Sequence, residues 1–461
     1  MTQKQPQMIP ASHEIQTPSP ASEMAFYNNP LSKLAVPFGT WVVTGVICVQ
    51  FLRHLRINGF STVISMNTLK VLVIFLVLGG PAHAQRARDL GIPFDGTPGP
   101  LNAITDVAGV EVGQTTIIRG NGKLVVGQGP VRTGVTAILP RGRNSDDNVM
   151  GAWFTLNGNG EMTGTTWLEE SGFLGGPIMI TNTHSVGVVH DAVIEWIVKR
   201  GKTFDWSLPV VAETWDGTLN DINGFHVRKE HVFAALDSAR GGPVTEGNAG
   251  GGTGMMCHGF KGGIGTSSRK LTDAAGGYTV GVLVQCNYGT RGQLRIAGER
   301  WVTSGDIQTP PICYQLDPPA DASFKKCGAA SGGSEEREEL GSIIIVVATD
   351  APVVPHQLKR IVKRAALGVG RMGGIGGNTS GDIFIAFSTA NPKSDVEKGT
   401  ASVTMLGNSV INPLFAATVD ATEEAILNAM VAARDMVGVD GIHVPAIPHD
   451  RIQALLKAHN R

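Results

Sequence analysis

Two short stretches place polar side chains where chemistry can use them. One is Gly341-Ser342, at the mouth of the run Ile343-Ile344-Ile345-Val346-Val347-Ala348-Thr349. The other is Ser380-Gly381-Asp382, just ahead of Ile383-Phe384-Ile385. If the peptide bond before Ser342 breaks, Ser342 becomes a new N-terminus, a hydroxyl nucleophile with an α-amine beside it. Such an amine has a pKa of about 7.7–8.0 and takes a proton near neutral pH. Ser380 and Asp382 are one residue apart, so an extended chain points both to the same side. A carboxylate behind a serine hydroxyl orients a hydrogen-bond chain toward a nucleophile and its ammonium form. Asn287 closes another apolar run and offers an amide to a developing oxyanion. Glu213, near the end of residues 208–216, is an acceptor for a substrate ammonium group. The competing reading of each residue is a cap or turn. For Gly341-Ser342 it is a plain loop entering a buried strand.

The elements that must position these groups are legible in outline. The Ile343–Thr349 run suits a strand apolar on both faces, because β-branched residues fit a pleated, fully covered sheet. Residues 107–118, 131–139, 208–216, 278–287 and 383–388 also read as strands. Helical spacing marks residues 186–200, with Gly201 closing the helix. It also marks 355–367, with Leu358, Ile361, Val362 and Ala365 inward. A further helix is expected over 421–436, with Thr422, Glu423 and Glu424 at its start. Asp450 is expected to cap a last short helix. Asn157-Gly158-Asn159-Gly160 reads as a tight hairpin-like turn. The glycines of 247–265 lack the Gly-Lys-Ser/Thr ending of a phosphate loop, so close backbone packing is the expectation. Strands and helices alternate, yet several strands form hairpins. That favours a layered α+β fold, with helices outside two stacked sheets.

A net charge of −1 over 461 residues gives no basic surface for nucleic acid. Residues 66–84 have one lysine, the apolar run Val71–Leu78 and Ala82-His83-Ala84, the pattern of a secretory signal peptide. The apolar run is too short to span a bilayer, although residues 34–52 leave a membrane segment open. The expectation is a start at Met66, with 1–65 a non-native or disordered extension, and an exported, periplasmic or secreted chain from Gln85. In an exported chain Cys313 and Cys327 can form a disulfide across the loop ahead of Ser342. Cys257 and Cys286 are expected as buried thiols. No cysteine spacing suggests zinc.

Four segments together resemble the L-aminopeptidase/D-amidase-esterase family, which includes the β-peptidyl aminopeptidases. They are Gly341-Ser342-Ile343-Ile344-Ile345-Val346-Val347-Ala348-Thr349-Asp350-Ala351-Pro352, Pro355-His356-Gln357-Leu358-Lys359-Arg360, Gly377-Asn378-Thr379-Ser380-Gly381-Asp382 and Val284-Gln285-Cys286-Asn287. Asn157-Gly158-Asn159-Gly160-Glu161-Met162-Thr163-Gly164 fits as well, and the likeness spans nearly all of 88–461. The resemblance implies a four-layer αββα fold similar to N-terminal-nucleophile hydrolases but with different connectivity. It implies a precursor that cuts itself between Gly341 and Ser342, leaving an α chain (85–341) and a β chain (342–461) that stay together. It implies release of N-terminal residues from short peptides, amides and esters through an acyl-enzyme, without metal or organic cofactor, by a homotetramer of αβ units. By the same resemblance Ser342 is nucleophile and base, Ser380 and Asp382 support it, Asn287 is the oxyanion donor, and Glu213 receives the substrate amine.

Two features depart from that pattern. Trp215 stands where some relatives carry a tyrosine, and an indole cannot supply the phenolic hydroxyl. Residues 303–340 form a long, cysteine-bearing linker, expected to be processed or mobile. Phe204, Trp215 and Trp167 are candidate walls of the substrate pocket. The alternatives are a self-processing acyltransferase of the ornithine acetyltransferase type, and an uncleaved glycine-rich binding protein.

Overall fold

The computed structural model describes residues 85–201, 206–301, 310–319, 323–329 and 341–461. The expectations for residues 1–84, including the signal peptide and the 34–52 segment, lie outside the described residues. So does Phe204. Among the described residues no helix is long and apolar enough to cross a membrane.

In chain order the first strands are β1 (Glu111–Arg119), β2 (Val131–Leu139), β3 (Val149–Thr155), β4 (Phe173–Leu174), β5 (Ile178–Asn182) and β6 (Val210–Thr214). Next come the short pair β7 (Met256–Cys257) and β8 (Phe260–Lys261), then β9 (Gly263–Lys270) and β10 (Thr279–Asn287). The hairpin β11 (Arg295–Ile296) and β12 (Glu299–Arg300) follows, then β13 (Cys313–Tyr314) and β14 (Lys325–Lys326). After these come β15 (Ser342–Thr349), β16 (Asp382–Ser388), β17 (Met436–Val437) and β18 (Ile442–Val444). One sheet has the order β1-β2-β5-β6 and a larger one the order β4-β3-β16-β15-β10-β9.

The period-two alternation of side chains assigns the layers. On β15, Ile344, Val346 and Ala348 face the other sheet and meet Ile138, Ile180 and Ala212. Ile343, Ile345 and Val347 face away, toward helices α4 (Pro355–Val362), α5 (Ala365–Arg371) and α6 (Asn412–Val431). The opposite face of the smaller sheet carries Val135, Ala137, Met179 and Val211, covered by α2 (Val186–Lys199) and α3 (Lys229–Ser238). Helix α1 (Thr165–Ser171) follows β3, and α7 (His449–Ala458) closes the chain. The layers therefore run helix, sheet, sheet, helix. Each isoleucine of β15 is fully buried, contributing about 1.5–3 kcal/mol of apolar transfer.

Several boundaries differ from the sequence expectation. Residues 355–367 form two helices, α4 and α5, rather than one. Helix α6 begins at Asn412, with Pro413 in its first turn, rather than at 421. Thr422 and Glu424 are interior positions: Thr422 Oγ1 donates to Thr418 O, and buried Glu424 accepts from Arg88 and Arg269 at 2.8 Å. A buried carboxylate matched by two guanidiniums mimics a helix-start signal in sequence. Asp450 sits in the first turn of α7, after Pro448, and does not cap it.

The linker is not wholly free of structure. β13 pairs with β18 and with β14, and a disulfide joins Cys313 to Cys327 with Cα atoms 5.0 Å apart. Cys257 and Cys286 are not thiols but a second disulfide, Cα–Cα 5.6 Å. Strand β7 runs beside the end of β10, a contact between residues 29 apart that sequence spacing does not reveal. The glycine-rich 247–265 stretch packs backbone on backbone. A Cβ on Gly263 would lie 1.9 Å from Gly247 O.

Candidate active site

The ends of three neighbouring interior strands converge in the larger sheet. Strands β15 and β16 are parallel neighbours with Ile343 opposite Asp382, so Ser342 begins one and Asp382 the other. A parallel pair needs a crossover, and residues 350–381, through α4 and α5, supply it. β10 runs antiparallel to β15, which sets its last residue, Asn287, directly opposite Ser342. The register thus assembles side chains scattered over 287–382, and Ser342, Ser380, Asp382 and Asn287 are all buried.

Ser342 Oγ accepts the Gly381 N–H at 3.1 Å. Ser380 Oγ donates to Asp382 Oδ1 at 2.7 Å, as the shared side of an extended chain requires. Gly341 has φ +154°, and a Cβ there would lie 1.8 Å from Asn287 O. Only glycine lets the chain pass that carbonyl on its way into β15.

Asn287 is held on both edges. Its Oδ1 accepts the Met256 N–H at 2.7 Å and its Nδ2 donates to Trp215 O at 2.9 Å. Those partners fix which end of the amide is which, because a donor faces one edge and an acceptor the other. Trp215 therefore reaches the site through its backbone carbonyl, and the residue as a whole is 39% exposed. Trp167 is not brought to the site. It packs edge-on against Trp206 and lines a cavity of about 770 Å³ at the opposite ends of the strands, with Leu139 and Val149.

Glu213 sits near the end of β6, buried. Its Oε1 accepts the Glu161 N–H at 2.9 Å, and its Oε2 accepts from Thr183 Oγ1. Burial pushes its pKa up, opposed by the Thr183 and Glu161 hydrogen bonds. The carboxylate is thus poised to gain from an added positive charge.

The Asn157–Glu161 loop joins the two halves of this arrangement. Asn157 Oδ1 accepts the Asp382 N–H at 2.6 Å, and its Nδ2 donates to Gly377 O. Asn159 Nδ2 donates to Thr379 O at 2.8 Å. A Cβ on Gly160 would sit 3.2 Å from Glu213 Oε1 and 3.3 Å from Gly381 Cα. The same loop therefore touches both the Ser380–Asp382 turn and Glu213. Sequence reading singled out this Asn-Gly-Asn-Gly run but gave it no role. Sequence alone assigns no role to Gly381 and shows no sign of Thr183 or Met256, which act respectively through a backbone N–H, a side-chain hydroxyl 30 residues from Glu213 and a backbone N–H.

The profile of peptidase family S58 matches residues 102–444. The chain belongs to peptidase family S58. It is a hydrolase acting on N-terminal residues. The β-peptidyl aminopeptidase BapA of Sphingosinicella microcystinivorans is 52% identical over 401 residues, 86% of this chain and 99% of the relative. The protein of the same name from Sphingosinicella xenopeptidilytica is 46% identical over 399 residues, 86% of this chain and 96% of its own. Among solved structures, the L-aminopeptidase D-Ala-esterase/amidase of Ochrobactrum anthropi, a variant of the Ntn-hydrolase fold, superposes with a TM-score of 0.71. It is 46% identical over 82% of this chain and 99% of its own. The fold of this S58 chain is thus of that Ntn-hydrolase type, and its two stacked sheets between helices are the expected four layers.

Proposed function

We propose that this S58 serine aminopeptidase makes its own nucleophile by cutting the Gly341–Ser342 bond. The observation that carries the proposal is the meeting of Ser342, Asn287 and the Ser380–Asp382 pair at neighbouring strand ends, with Gly341 threaded against Asn287. Self-cleavage begins when Ser342 Oγ attacks the Gly341 carbonyl carbon, with Asn287 Nδ2 facing the developing oxyanion; the Gly341–Ser342 C–N bond then breaks as the Oγ proton passes to the departing Ser342 amine. The resulting ester is hydrolysed, leaving an α chain ending at Gly341 and a β chain starting at Ser342. The freed α-amine, with a pKa of about 7.7–8.0, then takes the Ser342 Oγ proton as the oxygen attacks a substrate acyl carbon. That proton passes to the leaving amine, and water releases the acyl group. The Ser380–Asp382 carboxylate stabilises the ammonium form that arises between these steps.

Glu213 receives the substrate's own ammonium group, which makes the enzyme an exopeptidase. Substrates are short peptides, amino-acid amides and esters, and the name of the relatives, β-peptidyl aminopeptidase, supports β-peptides among them. The chemistry runs on side chains and backbone donors. The two disulfides support an exported, periplasmic or secreted enzyme, since such bonds persist in oxidising compartments. The pairing of β13 with β18 supports α and β chains that remain associated, because it ties a strand before the cut to one after it. A homotetramer of αβ units follows from the family resemblance. Ser342→Ala tests the reading: it should accumulate as an uncut, inactive precursor, and normal cutting at 341–342 would sink it.

A further inference from the structure

Cys257 and Cys286 are fully buried and bonded to each other. Cys286 is the chain neighbour of the oxyanion donor, and Cys257 of a residue that holds it. Cys286 precedes Asn287, and Cys257 follows Met256, whose N–H is bonded to Asn287 Oδ1. Asn287 Nδ2 carries two hydrogens. One goes to Trp215 O, which leaves the second for an oxyanion at Ser342.

The Met256 amide is only as well placed as the hairpin that bears it. Strands β7 and β8 are two residues each, paired as Met256 with Lys261 and Cys257 with Phe260. So short a ladder has little stability of its own. Lys261 Nζ closes the turn from inside, donating to Met255 O at 2.7 Å and to Gly262 O at 2.8 Å. These bonds tie the hairpin to itself and its approach. Toward β10, whose residues from Val280 to Asn287 pair with β15, the turn has a backbone hydrogen bond, His258 N–H to Tyr288 O at 2.7 Å, and the disulfide adds the covalent tie at Cys257 itself.

We propose that the Cys257–Cys286 bond is a positioning device for catalysis: it fixes the Met256 amide against Asn287 and so aims the oxyanion donor at Ser342. This rests on the assignment of Asn287 as that donor. A misplacement of about 1 Å in such a group costs on the order of 100-fold in rate.

The test is the double variant Cys257→Ala/Cys286→Ala, alone and combined with Asn287→Ala, assayed for self-cleavage half-time and for kcat and KM on an amino-acid p-nitroanilide. In the wild-type background kcat should fall about 10- to 100-fold with KM unchanged. In the Asn287→Ala background the same pair should cost nothing further, since the two act through one group. An unchanged kcat overturns the proposal, and so does an equal loss in both backgrounds, which would mark a merely structural bond. Should the alanine pair not fold, Cys257→Val/Cys286→Ala refills the lost volume. Non-reducing peptide mapping of the wild-type enzyme reads the bond itself, and free thiols at both positions overturn the proposal without any variant. Full activity of Asn287→Ala alone would instead remove the oxyanion assignment beneath it.

Discussion

Replacing Asn287 by aspartate separates the two jobs of its amide. The side chains are nearly isosteric, so the acceptor facing the Met256 N–H at 2.7 Å survives. The donor does not. A carboxylate oxygen would face Trp215 O across 2.9 Å with no hydrogen between them, and a negative charge would meet the developing oxyanion. Loss of one oxyanion donor costs about 2.7–4 kcal/mol, or about 10²- to 10³-fold in kcat. Two apposed acceptors in a buried site add a desolvation penalty of about 1–3 kcal/mol. Asn287→Ala should therefore fall within the first range, and Asn287→Asp below it, at 10³-fold or more. The assay is the half-time of chain cleavage by intact mass, followed by steady-state kinetics of whatever cut enzyme forms. KM should change little, because the interaction is made in the transition state. An Asn287→Asp enzyme within tenfold of wild type would refute this reasoning.

Other consequences can be checked alongside. Asp382→Asn keeps an acceptor for Ser380 Oγ but removes the charge proposed to stabilise the ammonium of Ser342. It should cut slowly and lose about 10- to 100-fold in kcat, and wild-type rates would make Asp382 purely structural. His258 is fully buried against Tyr288, with Nδ1 at 3.1 Å from Thr290 O, and burial pushes its pKa down to about 4. The fold holds it neutral, while the unfolded chain takes up a proton near its ordinary value of about 6.5. Its share of stability is therefore whole above about pH 6.5 and is lost as pH falls toward 4, some 3 kcal/mol in all. His258→Asn suits the positive φ of +48° and should flatten urea stability between pH 6.5 and 4; an unchanged slope would show that His258 is not the group.

Much of the candidate site was readable because its polar residues lie at strand ends, where a polar residue interrupts an apolar run. Ser342, Asn287 and Asp382 each flank such a run, and the unbroken apolar run of β15 already implied layers on both faces. What escaped were contacts made across the chain. The Asn157 side chain reaches Asp382 over 225 residues, and the Gly381 N–H serves Ser342 through strand register. Neither leaves a local pattern. Cys257 and Cys286 read as buried thiols because each alone resembles a small apolar residue, and only the approach of β7 to β10 pairs them. The sequence signal for the start of α6 lies nine residues past Asn412, because Glu423 and Glu424 look like first-turn acids. Glu424 is instead the buried partner of Arg88 and Arg269.

The most direct measurement is intact mass with N-terminal sequencing of the purified enzyme. Two chains, one of them beginning Ser342-Ile343-Ile344-Ile345, are the predicted result. A single uncut chain with full aminopeptidase activity would contradict the account, because an N-terminal serine would then not be the nucleophile.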